Sequence, residues 1–181
     1  CVFGFIRCIA VGGGSISALY DATSATGTNL IPAKTFTANE TFSFVGDDAN
    51  SDDNEGVLFD TGVYLTIAVG GTYEVWLRPA VASQATQATV QAWNKFVVTA
   101  DGNPAGLNAA CRLRAMYCIT AGAIAGIYDG TSVTGTNIAQ TSPTAALGKL
   151  RFGKRGGRPM AAGCYVDWTS GSYLIIAAPV I

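Results

Sequence analysis

Histidine is absent from the sequence, and charged residues are scarce. Without histidine, neither a Ser-His-Asp nor a Cys-His catalytic site can form. The sequence also lacks Cys-x-x-Cys pairs, so a zinc site is disfavoured. Paired carboxylates could hydrolyse glycosides, but the acids outside one acidic stretch are few and fall mostly in predicted turns. We therefore expect a protein that is not an enzyme and that holds no cofactor and no metal.

Charged side chains make up 13% of the chain, which is about half the usual share. The net charge of −1 argues against general affinity for nucleic acid. No apolar stretch approaches the roughly 18 residues of a membrane span, and no secretory signal is recognisable. Hydrophobic residues reach 49%, enough to bury a core. A surface with so little charge indicates extensive contact with neighbouring subunits; the alternative is a neutral surface rich in Ser and Thr.

One motif occurs twice in the chain. Residues 19–29 read LYDATSATGTN and residues 127–137 read IYDGTSVTGTN, identical at eight of eleven positions. Further landmarks repeat in the same order: Cys1 and Cys8 against Cys111 and Cys118, then Gly62 and Gly71 against Gly163 and Gly171. Such repetition indicates a tandem duplication. Two copies are too few for a solenoid, so each copy is predicted to be a domain.

Short runs of alternating apolar and polar residues, separated by Gly-rich turns, predict an all-β fold. The candidate strands of the first copy are Val2–Val11, Ser15–Tyr20, Phe36–Val45, Tyr64–Val69 and Tyr73–Leu77. Those of the second are Arg112–Ile119, Ala123–Tyr128, Leu147–Phe152, Tyr165–Trp168 and Tyr173–Ala177. A further strand over 93–98 is predicted to be the leading strand of the second copy. The first copy shows no equivalent, so the alternative is that this strand serves the first copy instead. We predict two tandem, jelly-roll-like β-sandwich domains over 1–80 and 96–181, joined by a connector over 81–95.

The repeated motif is typical of a turn between two strands. We predict that its aspartates accept hydrogen bonds from backbone amides one or two residues on, and that its glycines take positive φ. The alternative is a ligand loop anchored by the aspartate. The motif residues are Tyr20, Asp21, Gly27, Tyr128, Asp129 and Gly135.

Two stretches of opposite charge occupy related places in the copies. The first, over 46–56, contains acids only: Asp47, Asp48, Asp52, Asp53 and Glu55. The second, over 149–159, contains bases only: Lys149, Arg151, Lys154, Arg155 and Arg158. They are either two solvated loops or a complementary contact with neighbouring subunits, where charge sets orientation more than affinity. The acidic stretch fails the EF-hand spacing, which leaves a looser calcium site as an alternative. The basic stretch is short for a segment that binds nucleic acid.

The five cysteines are predicted to be buried thiols. Cys1 and Cys8 lie about 23 Å apart along one predicted strand, too far for a disulfide, and the same spacing separates Cys111 from Cys118. Cys164 takes the place of Val63 and is therefore a core position. Because five is odd, at least one thiol is free or intermolecular. The alternative is disulfides between strands or between subunits, formed after assembly.

The order of motifs in the second copy resembles a known family. An apolar strand leads to the IYDGTSVTGTNIA stretch, followed by Leu150-Arg151-Phe152-Gly153, Gly163-Cys164-Tyr165-Val166 and a final apolar strand. This order resembles small β-sandwich accessory proteins of tailed bacteriophages, over residues 111–181 and, in a more diverged form, over 1–79. The resemblance implies a virion protein that decorates or cements the capsid surface. It implies the major capsid protein or other virion proteins as partners, and no catalytic residues.

Three classes of function follow. The first is a non-enzymatic structural virion protein on the particle surface, assembled as a homo-oligomer. The second is a carbohydrate- or receptor-binding module of a tail or head fibre. Its candidate aromatic residues are Tyr64, Trp76, Trp93, Tyr165, Trp168 and Tyr173. The third is an extracellular, self-assembling adhesin subunit. Low charge suits the first and third, whereas an exposed row of aromatic rings would favour the second.

Overall fold

The computed structural model describes residues 1–44, 56–78, 92–139, 144–152 and 157–179. Every regular element in these ranges is a β-strand, so the predicted all-β class is confirmed. The chain divides into two compact units, Cys1–Trp93 and Asn94–Ile181. The division falls inside the predicted connector, although regular structure resumes within that connector, at Ala92.

The described residues of the first unit form eight complete strands and the beginning of a ninth. They are β1 Val2–Cys8, β2 Gly14–Asp21, β3 Asn29–Ile31, β4 Lys34–Phe36, β5 Thr41–Phe42, β6 Gly56–Leu58, β7 Val63–Val69, β8 Tyr73–Arg78 and the start of β9 Ala92–Val98. β1 pairs with β8 on one side and with β5 and β6 on the other. β2 pairs with β7 on one side and with β3 and β4 on the other.

Alternation along the strands explains how these sheets form a core. In β1, Ile6 and Cys8 are buried and Arg7 between them is exposed, the period-2 pattern of a strand with one face covered. Three phenylalanines fill this core: the ring of Phe3 lies 5.7 Å from that of Phe44 and 5.4 Å from that of Phe59. Trp93, at the start of β9, is also fully buried.

In the second unit, the residues that the structure describes form the rest of β9 and five further strands: β10 Cys111–Asp129, β11 Thr136–Ala139, β12 Lys149–Arg151, β13 Arg158–Met160 and β14 Cys164–Pro179. β10 and β14 pair along nearly their whole length. β11, β12 and β13 pair with the other side of β10, and β9 pairs with the other side of β14. The buried core includes Val98, Leu107, Met116, Ile127, Val166, Tyr173 and Ile175.

Our predicted breaks within β10 and β14 were wrong. We expected turns at 120–122 and 169–172, but both strands continue through them, with register shifts at that point. Glycine makes this continuation feasible. A Cβ on Gly122 would lie 2.2 Å from the carbonyl oxygen of Ser170, and Gly171 has a φ of 81°. The glycines therefore allow two paired strands to bend together where we expected them to end.

Each unit, taken by itself, has the same strand register. β1 pairs with β8 through Phe3 and Leu77, Phe5 and Trp76, and Ile6 and Val75. β10 pairs with β14 through Leu113 and Ala177, Ala115 and Ile176, and Met116 and Ile175. Both ladders have an irregularity after the first of these pairs, between Phe3 and Phe5 and between Leu113 and Ala115.

A shared backbone conformation extends this correspondence. Asn39 and Leu147 are the non-glycine residues with positive φ in the described ranges, at 64° and 65°. The Asn39 amide donates to the Cys8 carbonyl over 2.7 Å, and the Leu147 amide donates to the Cys118 carbonyl over 2.9 Å. This tight turn therefore precedes β5 and β12 in the same way.

Candidate functional site

The two copies of the repeated motif lie at corresponding strand ends. Tyr20 is opposite Tyr64 in the β2–β7 ladder, and Tyr128 is opposite Tyr165 in the β10–β14 ladder. The ring centroids are 6.4 Å apart in each pair. Each tyrosine is thus held by a cross-strand aromatic contact rather than displayed for a ligand.

Asp21, at the end of β2, binds the backbone that leads into β7. Its Oδ1 accepts hydrogen bonds from the amides of Thr61 and Gly62 over 2.9 and 3.1 Å, and its Oδ2 accepts one from Asp60 over 2.9 Å. The amide of Ala22 donates to the carbonyl of Gly62 over 3.1 Å. One carboxylate therefore accepts hydrogen bonds from three consecutive amides of a loop that is distant from Asp21 in sequence.

Asp129 does the same in the second unit. Its Oδ2 accepts from the amide of Ala161 over 2.9 Å and its Oδ1 accepts from that of Ala162 over 2.8 Å. The amide of Gly130 donates to the carbonyl of Gly163 over 3.1 Å. We predicted bonds to amides one or two residues on, but those that the structure shows at both aspartates join separate strands. The prediction failed because the partner segment lies dozens of residues away.

Glycine serves different purposes in the two loops. Gly27 has a φ of 91°, as predicted, and a Cβ there would meet nothing within 4 Å. Gly135 has no positive φ, so that part of the prediction was wrong. Instead, its Cβ would lie 2.5 Å from the carbonyl oxygen of Asp129 and 3.1 Å from the Cα of Gly130. The first loop has Ala22 at the place of Gly130, and its Cβ prevents such a close approach.

The loop residues that the structure describes favour a structural task over ligand binding. Both oxygens of each aspartate accept backbone amides. The described residues contain no group of three or more Cys, Asp or Glu placed to hold a metal ion. A shallow depression of about 180 Å³, lined by residues 97–104, lies outside both loops. It is smaller than the roughly 300 Å³ at which small-molecule pockets begin.

The predicted charged stretches are only partly within the described residues. Asp47, Asp48, Asp52, Asp53, Glu55, Lys154 and Arg155 lie outside them. Lys149 and Arg151 lie on β12 and Arg158 on β13, so these three bases belong to strands rather than to a loop. Lys149 Nζ is 4.8 Å from the ring centroid of Tyr117. Burial lowers the pKa of Arg151, whereas Arg158 is exposed.

All five cysteines lie in the described ranges and none forms a disulfide there. Cys8, Cys111, Cys118 and Cys164 are buried, and Cys1 is half-buried. Burial raises the pKa of Cys164 to about 12, with a further contribution from Cys111, and raises that of Cys111 to about 11. These two thiols are therefore protonated at neutral pH and are poor nucleophiles.

The aromatic residues considered for carbohydrate binding do not form an exposed row. Trp93 and Tyr173 are fully buried. Trp168 is half-buried, with its Nε1 donating to the carbonyl of Gly171 over 3.0 Å. Of the six candidates only Trp76 is exposed, and its ring stacks on Phe5 at a centroid distance of 5.3 Å. Stacking on a sugar would require several exposed rings side by side.

No protein-family model, no curated protein and no solved structure matches the chain. The likeness to phage accessory proteins therefore rests on the motifs alone. The described part of the chain contains no helix long and apolar enough to cross a membrane.

Proposed function

We propose that this chain is a non-enzymatic structural protein of a virion, which decorates or cements the outer surface of a phage capsid. The observation that carries the proposal is the use of the repeated motif. Its aspartates accept hydrogen bonds from backbone amides in both units, so the motif joins separate segments of the fold. Such a chain acts through its surface rather than through a catalytic site. Its low charge suits extensive contact between that surface and other subunits.

The architecture proposed with this function is a pair of β-sandwich domains of jelly-roll type that arose by duplication. The matching registers of β1–β8 and of the first part of β10 with β14 support it, as do the matching turns at Asn39 and Leu147. Independent sequences would not be expected to place irregularities and positive-φ residues at the same steps. The partners of this proposal are the major capsid protein or other virion proteins, and further copies of the chain.

Immunogold electron microscopy tests the location. An antibody raised against the folded chain should label the outer surface of intact virions purified from cultures that produce the protein. Label that appears only after the particles are broken, or none on particles at all, would refute the surface assignment. A tail-fibre module would instead be labelled at the tail, which distinguishes the tail-fibre form of the receptor-binding alternative.

The charged stretches can be tested on the same particles. One variant replaces Lys154, Arg155 and Arg158 with Ser, a second replaces Asp47, Asp48 and Asp52 with Ser, and a third combines both. If the stretches pair across neighbouring subunits, each single variant lowers occupancy and the combination costs less than the sum. The occupancy of the parent protein on the particle should fall as the salt concentration rises, since exposed charges are screened over about 8 Å at physiological ionic strength. Full occupancy of all variants at every salt concentration would show that the charges are only solvated.

A further inference from the structure

One edge of the first unit has no strand beside it in the residues that the structure describes. β8 pairs with β1 on one side, and no described strand pairs with its other side. Among the described strands, β7 likewise pairs with β2 alone. We call the outer sides of β7 and β8 the open edge. A sheet edge has a row of backbone N–H and C=O groups, and no described strand pairs with those of the open edge.

The corresponding edge of the second unit is covered by residues 94–107, the covering segment. Its first part, Asn94 to Val98, pairs antiparallel with residues 173–177 of β14. Gly102 then exchanges backbone hydrogen bonds of 3.1 and 2.9 Å with Val166, and Asp101 Oδ1 accepts the amide of Trp168 over 2.7 Å. The carbonyl of Leu107 finally accepts the amide of Cys164 over 2.8 Å.

The covering segment also contributes side chains to the core. Val98 and Leu107 belong to the buried cluster, and Phe96 packs against it. The β14 positions in the same cluster are fully buried: Ile175, Ala177 and Val166 each have 0% exposure.

The equivalent positions of the open edge are less well covered. By register, Leu77 corresponds to Ala177, Val75 to Ile175 and Leu65 to Val166. Leu77 is 47% exposed, and the other two are half-buried. Among the described residues of the first unit, none takes the place at the open edge that residues 96, 98 and 107 take in the second.

Little in the open edge discourages another strand. Natural edge strands are protected by charges, prolines or bulges that turn the edge away. β7 has neither a charged residue nor a proline, and Ile67 and Val69 on it are exposed at 51% and 64%. β8 has two charged residues: Glu74, which forms an ion pair with Arg7, and Arg78 at its end. The other four residues of β8 are uncharged, and strand addition takes place at exposed sheet edges.

We propose that the open edge binds an extended segment of a different polypeptide chain, which adds antiparallel to β8 and has the residue pattern of the covering segment. The pattern is two inward apolar residues two positions apart, equivalent to Phe96 and Val98, followed by a buried anchor equivalent to Leu107. A second folded copy cannot supply this segment, because its own residues 94–98 are paired with β14. The proposal goes beyond the decoration role and does not depend on it.

The probe is an unlabelled synthetic peptide of residues 92–108, which is added to the ¹⁵N-labelled protein. Binding is followed by amide hydrogen exchange of the protein. The expected result is saturable binding, with exchange of amides in residues 73–78 slowed at least tenfold. A peptide with proline in place of Phe96 should not bind, because proline lacks the N–H and disrupts strand pairing.

Two protein variants make the test specific. Leu77→Lys should weaken peptide binding at least tenfold, because a charge then lies where the added strand has to pack. Val133→Lys is the matched control, since Val133 is exposed to a similar extent, 49%, in a loop of the second unit. This control should bind the peptide as the parent does. Both variants must retain the parent's amide spectrum.

Three outcomes would overturn the proposal. The first is absence of protection in β8 at saturating peptide. The second is perturbation confined to residues 173–177, which would mean that the peptide exchanges with the chain's own β9. The third is a dimer of the protein alone, seen by sedimentation and abolished by Leu77→Lys, combined with no peptide binding; the open edge would then be a self-association surface. Failure of capsid labelling would leave these results unaffected.

Discussion

Substituting the two motif glycines tests whether they act for different physical reasons. Gly27 adopts a φ of 91° in open space, so alanine there suffers backbone strain but no collision. Left-handed backbone costs an L-residue about 1–2 kcal/mol, and Gly27→Ala should lower the free energy of unfolding by that amount. In Gly135→Ala the new Cβ would lie 2.5 Å from the Asp129 carbonyl oxygen, so the backbone has to move. Overpacking of this kind costs about 1–3 kcal/mol.

Asparagine separates the two causes. Asn tolerates positive φ better than alanine, so Gly27→Asn should be milder than Gly27→Ala. Gly135→Asn should be at least as harmful as Gly135→Ala, because the collision involves the Cβ that both residues have. Urea unfolding measures the free energies, provided that the transition of the affected unit is resolved.

Amide exchange gives a local measurement. The amides of Ala161 and Ala162 donate to Asp129, next to the Gly135 contact. Their exchange should accelerate in Gly135→Ala and stay unchanged in Gly27→Ala. If Gly135→Ala is as stable as the parent, or if asparagine relieves both sites equally, our account of the loops is incorrect.

Two further predictions concern the turn before β5 and β12. Leu147→Asn should raise the free energy of unfolding by up to about 1 kcal/mol, because Leu147 has a φ of 65° where the first unit has Asn39. Urea unfolding measures this free energy. A lower value in the variant would show that the apolar burial of Leu147 matters more than its backbone strain. Burial by itself would raise the pKa of Glu40, but hydrogen bonds from Lys34 Nζ and the Thr37 amide hold it below its usual 4.5. Glu40 therefore stabilises the fold above pH 4.5, and this contribution is lost as the pH falls through the lowered pKa. Glu40→Gln should flatten the pH dependence of the melting temperature below pH 4.5, and an unchanged slope would contradict this reasoning.

The all-β class was predictable because period-2 alternation and Gly-rich turns are local signals. The position of the motif was predictable for the same reason, since an apolar strand precedes Tyr20 and Tyr128 alike. The aspartate bonds were not predictable, because an Asx turn and a bond to a distant amide begin from the same residue. Only the three-dimensional placement of Thr61 and Ala161 distinguishes them.

The continuity of β10 and β14 was hidden by their glycines. Gly122 and Gly171 look like turn residues in sequence, but here they permit close approach between two bending strands. The sequence also did not reveal that Gly27 is needed for its positive φ, whereas Gly135 is needed because the backbone of Asp129 lies close to it. This difference depends on one methyl group, which Ala22 has and Gly130 lacks, and the contacts of that position are known only from the fold.

The long strands of the second unit also determine how it carries a mechanical load. β10 and β14 are hydrogen-bonded from Cys111 and Pro179 to Asp129 and Cys164. A pull along either strand loads this ladder in shear, so that many bonds resist together. In the first unit the equivalent contacts are divided between β1–β8 and β2–β7, with interruptions in the chain between them. Tension would therefore open the first unit in steps, whereas the second would hold until its ladder slides as a whole.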